Sequence, residues 1–351
     1  MRKIYSLIFF IYPLIIMGQD IHFAQTPLVP QLINPATTGV FEGWERITLS
    51  NRNQWYGIQN SYFTSQFSAD LNLLKNDNGP NKSYLGLGIS FYNDIAGDGK
   101  FGINQLNLSV SGIIPVAENQ TVSAAIQIGG AQRSGNINSL TWGNQFNGSE
   151  FDTQVPSYEV NSISSYFHED FGAGVYYNYK GTKGTLARNE ITSLYAGAAF
   201  FHITTPKLKY NNGTSDKLNS KIVLHGGGEV DIPGSEWAAA GSFVFMDQGP
   251  HQQTMINLMM KARMKNGTKY TGVYNESYFG FGLIHRFKDA LAPQLLFEFG
   301  SYKIGILYEL TVSNLSAASK GGFEVSFQWA NMRNALFTSR RSKGHKRAKN
   351  L

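Results

Sequence analysis

Apolar and polar residues alternate along most of this chain. From Tyr302 to Trp329 it reads YKIGILYELTVSNLSAASKGGFEVSFQW. Tyr302, Ile304, Ile306, Tyr308 and Leu310 alternate with Lys303, Gly305, Leu307 and Glu309. After an Asn, Ser and Gly turn, Phe323, Val325, Phe327 and Trp329 alternate with Glu324, Ser326 and Gln328. Side chains on a strand point to opposite faces with a period of two, so this is a hairpin with one apolar and one polar face. The same signal marks about fourteen segments. They lie near 46–55, 61–71, 83–93, 102–113, 121–131, 170–179, 192–202, 220–230, 236–246, 253–263, 277–286, 293–300, 302–311 and 322–331. Turns rich in Asn, Asp and Gly separate them, and the longest loop predicted runs from Gln132 to Glu169.

An antiparallel sheet of this extent must close or be covered, because free edges invite further pairing. An even number of alternating strands with abundant aromatics fits a transmembrane antiparallel β-barrel, since lipid forbids open edges. A soluble sandwich, jelly roll or propeller is the competing architecture, and it calls for a more charged outer face. On the barrel reading Tyr302, Ile304, Phe327 and Trp329 meet lipid. Lys303, Glu309, Glu324 and Gln328 then point inward, and a Gly/Ser/Asn/Gln-rich face lines the interior. Lys303 and Glu309 stand too far apart on one strand to pair, so each is expected to find partners on neighbouring strands. On the first strand Arg46, Thr48, Ser50, Arg52 and Gln54 share one face, with Ile47, Leu49 and Trp55 on the other.

Composition adds three points. Charged residues make up only 15% of the 351 residues, against about 25% in soluble proteins, which favours the membrane reading. The start, MRKIYSLIFFIYPLIIMG, has the charged end, apolar stretch and small closing residue of an export signal. Its apolar stretch of roughly 14 residues is short for a spanning helix, which needs about 20. The chain has no cysteine, which excludes disulfides, thiolate metal sites and cysteine nucleophiles. The formal charge of +6 is outweighed by two leader cations and the seven cations after residue 332. The body is therefore slightly acidic, and the basic balance is no argument for nucleic acid. The expected organisation is a signal peptide at 1–18, an irregular segment at 19–45 with Pro27, Pro30 and Pro35, a barrel at 46–332 and a basic tail at 333–351.

Catalytic chemistry finds little support. His168-Glu169-Asp170 is the densest ionisable cluster, but three adjacent residues of an extended segment cannot all face one ion. The other histidines lack metal-ligand spacing. Asp94 to Lys100 lacks the ligand order of a calcium loop, and Gly226-Gly227-Gly228 does not precede a helix. The expectation is a non-enzyme without metal or cofactor. Two features remain. If Trp55 faces lipid, Arg52 faces inward, where an unpaired charge is costly; its expected partner is the irregular N-terminal segment, which would then occupy part of the lumen. A bare arginine in a wet lumen is the alternative. An even strand count puts both barrel termini on one side, the periplasmic side in bacterial barrels. There the tail's Arg340, Arg341, Lys343, Lys346, Arg347 and Lys349 could meet acidic partners or anionic lipid, or stay solvated.

Three blocks carry a family resemblance. Gln19 to Gln25 is followed by Asn34-Pro35-Ala36-Thr37-Thr38-Gly39; Arg52-Asn53-Gln54-Trp55 closes the first strand; and Gly305 to Leu315 precedes Gly322 to Phe327. Together they resemble the PorP/SprF family, outer-membrane barrels of the type IX secretion and gliding machinery of Bacteroidota. The resemblance implies a role in export or surface attachment of large adhesins, through the adhesin's C-terminal domain or a periplasmic component of the machine. It marks Asn34, Pro35, Gly39, Arg52, Gln54, Trp55, Glu309 and Glu324 as motif or partner-contact residues. The chain departs from the family at Glu309, where Asp is usual, at Phe323, where His is usual, and in its basic tail. The alternative function is a pore or transporter for small solutes.

Overall fold

The computed structural model describes residues 20–55, 61–75, 82–136, 140–152, 154–158, 165–184, 189–211, 214–265, 277–317 and 321–331. The expected export signal at 1–18 and the basic tail at 333–351 lie outside these residues. Fourteen antiparallel strands close into a barrel. In chain order these are β1 (Glu45–Gln54), β2 (Tyr62–Leu73), β3 (Tyr84–Ala96), β4 (Phe101–Ala117), β5 (Gln120–Ser134), β6 (Tyr166–Gly184) and β7 (Asn189–Phe201). A small two-stranded hairpin follows, β8 (Lys207–Asn211) with β9 (Thr214–Lys217), outside the wall. The wall resumes with β10 (Lys221–Asp231), β11 (Trp237–Gln248), β12 (His251–Lys265), β13 (Ser277–Arg286), β14 (Ala290–Phe299), β15 (Tyr302–Thr311) and β16 (Gly322–Asn331). β10 pairs with β7, and β16 closes on β1 with Arg52 opposite Glu324. Every strand expected from alternation is present, most of them longer than the sequence pattern marks. The β8–β9 hairpin is an addition; it carries no long alternating run.

The alternation sets the faces. On β4, Leu106, Leu108 and Val110 are 48%, 52% and 45% exposed, while Asn107, Ser109 and Ser111 between them are at 2% or less. Tyr302, Tyr308 and Phe323 point outward, and Gly305, Leu307, Glu309, Glu324 and Ser326 are buried inside. An apolar outer wall and closed backbone pairing are what a bilayer demands. Among the described residues no helix is long and apolar enough to cross a membrane.

The two mouths differ. At the mouth where β1 begins and β16 ends, several connections are tight, such as Glu118–Asn119 and Gly300–Ser301. The distal mouth carries the two longest connections, 135–165 between β5 and β6 and 202–220 between β7 and β10. The first of these holds a short 3-10 turn (Gly143–Gln145) and a bridge between Phe146 and Phe151.

The interior is not simply polar. Ile21, Phe23, Val29 and Ile33 of the N-terminal segment join inward residues Tyr92, Ile103, Phe201, Val223, Val244, Met246 and Met255 in one apolar cluster. A second cluster joins Ala24 to Ile284, Ala292 and Leu307. Residues 20–44 therefore supply about a third of the residues of a core inside the barrel. Fully burying a side chain such as Phe23 or Val29 is worth about 1.5–3 kcal/mol, so this segment is held by packing as well as by polar contacts.

Candidate functional site

The N-terminal segment runs the length of the lumen. Asp20 sits at the distal mouth, where its carboxylate accepts from Lys221 at 2.9 Å and lies 3.3 Å from His202 Nε2. Trp44 sits at the other mouth, where its N–H donates to the Asn331 carbonyl at 2.9 Å and its carbonyl accepts from Asn72 N–H at 2.9 Å. Between them the chain makes a 3-10 turn (Thr26–Leu28), one short helix α1 (Pro30–Ile33) and a second 3-10 turn (Pro35–Thr37). Pro27, Pro30 and Pro35 each lie in the first two positions of one of these turns, where a missing N–H costs nothing.

Four sets of wall contacts fasten it. First, the Glu324 carboxylate, fully buried, accepts from the backbone N–H groups of Ala24 and Gln25, each at 2.8 Å. Second, Arg52 donates to the His22 carbonyl at 2.8 Å and pairs with Glu309 at 2.9 Å. Arg286 also pairs with Glu309, at 3.0 Å, and with Asp289 at 2.6 Å. The buried guanidinium thus has both a chain partner and a counter-ion. Glu309 finds its partners on β1 and β13, each two strands from its own, rather than on adjacent strands. Lys303 pairs with Glu298 of adjacent β14 at 2.9 Å.

Third, Asn34 joins the segment to the opposite wall. Its side-chain oxygen accepts from Ala36 N–H at 2.9 Å, shaping the turn at Pro35. Its Nδ2 donates to the Val175 carbonyl at 2.9 Å and lies 3.0 Å from His225 Nε2. Ser123 and Ser111 donate to the carbonyls of Ala36 and Thr38 at 2.5 and 2.6 Å. Fourth, Gly39 N–H donates to Asp70 at 2.8 Å, and Asp70 is paired with Arg46 at 2.7 Å. Gly39 has φ +75, and a Cβ there would meet Asn72 and the Gly86 backbone, so both conformation and space require glycine. Wall glycines make the complementary room: a Cβ on Gly305 would collide with Gln25 and Leu28, and one on Gly174 with Asn34.

At the distal latch, electrostatics favour the charged forms. Burial alone would raise the Asp20 carboxyl, but Lys221 and His202 hold it well below the ordinary range. Burial pulls the His202 imidazole down, and its contacts with Asp170 (2.9 Å) and Asp20 outweigh this and raise it to about 9. Gln105 donates to the same Asp170 at 3.0 Å. His22, buried beside Arg52 and Arg286, is pushed well below its usual range and is neutral.

Of the residues marked from sequence, the structure brings Arg52, Glu309 and Glu324 into one cluster and places Asn34, Pro35 and Gly39 on the plug. Trp55 differs from expectation. It follows the last residue of β1 with φ 61, so strand parity no longer applies. Its ring packs edge-on against Tyr62 at 5.1 Å, and it lines the same distal cavity as Arg52 and Gln54 rather than facing lipid. The tail cations Arg340, Arg341, Lys343, Lys346, Arg347 and Lys349 lie outside the described residues. Within His168-Glu169-Asp170, His168 and Asp170 are buried inside and Glu169 is exposed outside. Among the described residues no group of three or more His, Asp or Glu could hold a metal ion. Sequence reasoning assigned no role to Asp20, Asp70, Asp170, His202, Lys221 and Arg286. The inward parity of Asp70 and Arg286 within alternating strands was the available signal for those two.

The sequence profile of the type IX secretion system membrane protein PorP/SprF matches residues 16–329. The chain belongs to the PorP/SprF family. This PorP/SprF barrel is similar in structure to several solved bacterial barrels at low identity. The toluene transporter TodX of P. putida aligns with 11% identity and a TM-score of 0.43, covering 87% of this chain and 94% of that one. BamA of Haemophilus ducreyi lacking POTRA domains 1–3 gives 9% and 0.41, covering 82% and 70%. The translocator domain of the autotransporter NalP of Neisseria meningitidis gives 9% and 0.37, covering 87% and 96%. At that level of similarity the likenesses bear on neither activity nor cargo. No curated protein sequence matches the chain. The family places this β-barrel in the outer membrane and in type IX secretion.

Proposed function

We propose that this barrel is a non-enzymatic docking component of the type IX machinery. It engages a secreted adhesin through that protein's C-terminal domain, or a periplasmic component of the machine, and so supports secretion or surface attachment. The observation that carries this reading is the filled lumen. A segment with Phe23, Val29, Asn34, Ala36 and Thr38 at 3% exposure or less, tied by buried carboxylate and guanidinium contacts, leaves little room for solute flow. What such a barrel can offer is its mouths, loops and tail.

The mouth where β1 begins and β16 ends faces the periplasm. Two of its connections are two-residue turns, and the two longest connections of the barrel, 135–165 and 202–220, lie at the other end, the pattern of bacterial outer-membrane barrels. The basic tail then emerges on the periplasmic side, where Arg340, Arg341, Lys343, Lys346, Arg347 and Lys349 meet an acidic partner surface. Affinity purification of the full chain from its native membrane tests the reading. Recovery of a large adhesin or a periplasmic machine protein is expected, and it weakens when residues 334–351 are deleted. A large, stable conductance in planar bilayers with no protein partner recovered would instead favour a solute pore.

A further inference from the structure

The distal mouth holds a cavity of about 400 Å³ that the plug does not fill. This lies within the range of small-molecule sites, about 300–1,000 Å³. Its floor is the leading end of the N-terminal segment, Asp20 to His22, and its walls come from the ends of β1 to β5 and from His251 of β12. Three aromatic rings line it. Trp55 and Tyr62 meet edge-on at 5.1 Å, and Phe101 is 39% exposed. Beside them stand the half-buried polar side chains of Gln54, Asp94 and Arg133. Asp94 is oriented by Thr64, whose hydroxyl donates to it at 2.5 Å.

We propose that this vestibule is a saccharide-binding site. A sugar ring presents apolar C–H faces and a rim of hydroxyls. It therefore suits flat aromatic faces set beside a carboxylate, an amide and a guanidinium, groups that accept and donate hydrogen bonds. A peptide is the less suited occupant. The barrel is closed, so its wall has no free edge onto which an extended chain could add as a strand. The apolar lining is dominated by the three rings, with Ile21, Ala96 and Ile103 beside them. Trp55 gives the site its main face because its left-handed backbone, φ 61, turns the ring off the strand and into the mouth. The site is independent of the docking reading, which rests on the plugged lumen and the tail.

Saturation-transfer NMR on the full-length protein in detergent tests this, using glucose, mannose, N-acetylglucosamine and cellobiose as probes and the tripeptide Ala-Tyr-Ala as comparison. At least one sugar is expected to give signal at millimolar concentration. That signal falls at least five-fold in Trp55→Ala and in Asp94→Asn, and is retained in Trp237→Ala, a lipid-facing change at the opposite mouth. Heat-modifiable migration on gels confirms that each variant is a folded barrel. Absence of signal from all four sugars, a sugar signal unchanged in Trp55→Ala, or a Trp55-dependent signal from the tripeptide alone would each overturn the proposal.

Discussion

Glu324→Ala releases the front of the plug without opening the barrel. The carboxylate is fully buried and accepts two backbone N–H groups, from Ala24 and Gln25, at 2.8 Å. Alanine leaves both donors buried without an acceptor, at about 1–3 kcal/mol each. Arg52 Nε, 4.0 Å from the same carboxylate, loses a second counter-charge, while Arg52 and Arg286 keep Glu309. A loss of about 3 kcal/mol falls on the docked state of residues 20–28. At about 1.4 kcal/mol per factor of ten, the undocked fraction rises roughly 100-fold. The fourteen-stranded ladder keeps its pairing, since Glu324 joins β1 and β15 through its backbone. The cysteine-free chain suits the assay. Ile21→Cys puts one thiol at a buried plug position, 7% exposed in the parent, and its rate of reaction with a membrane-impermeant thiosulfonate reads the opening equilibrium. Labelling in the Glu324→Ala background should be about 100-fold faster than in the Ile21→Cys parent. A rate within two-fold of the parent, with the barrel still heat-modifiable, would refute the claim that Glu324 anchors the plug.

Three further outcomes are expected. Gly305→Ala, whose methyl would collide with Gln25 and Leu28, accelerates the same labelling, whereas Gly112→Ala, with open space around its added carbon, leaves it unchanged. The distal latch is pH-dependent. Because His202 is raised from 6.5 to about 9, its share of docking stability is complete below 6.5 and is lost as pH climbs through 9. Asp20 is depressed, so its share is present above its ordinary 3.8 and lost as pH falls further. Labelling of Ile21→Cys, corrected for free-thiol reactivity, should therefore rise between pH 8 and 10, and His202→Gln should flatten that rise. Ser149→Cys in the long distal connection is labelled on intact cells, while Glu118→Cys in a tight turn at the other mouth is labelled only after the outer membrane is permeabilised. The reverse pattern would invert the orientation proposed above.

The faces and count of strands were legible in the sequence because a two-residue period survives any tertiary context. Leu106, Leu108 and Val110 against Asn107, Ser109 and Ser111 could only be two sides of one wall. Parity also sent Arg52, Glu309 and Glu324 inward, since all three lie within regular strands. It failed at Trp55, one residue past the end of β1, where a left-handed backbone breaks the alternation that the argument needs. It also could not find the latch. Asp20, Asp170, His202 and Lys221 come from four separate stretches of chain, and no spacing rule joins residues separated by up to 201 positions.

The sequence by itself determined a closed barrel, its lipid face and its family, through periodicity and short motifs that are local properties of the chain. Only the tertiary structure decided what fills that barrel. The segment from Asp20 to Trp44 has no period to read, and its path depends on contacts far away in sequence: Glu324 for Ala24 and Gln25, Val175 for Asn34, Asp70 for Gly39. Buried N–H groups and charges must find partners wherever the closed wall presents them, so the fit of plug to lumen is set by three-dimensional proximity and not by order along the chain.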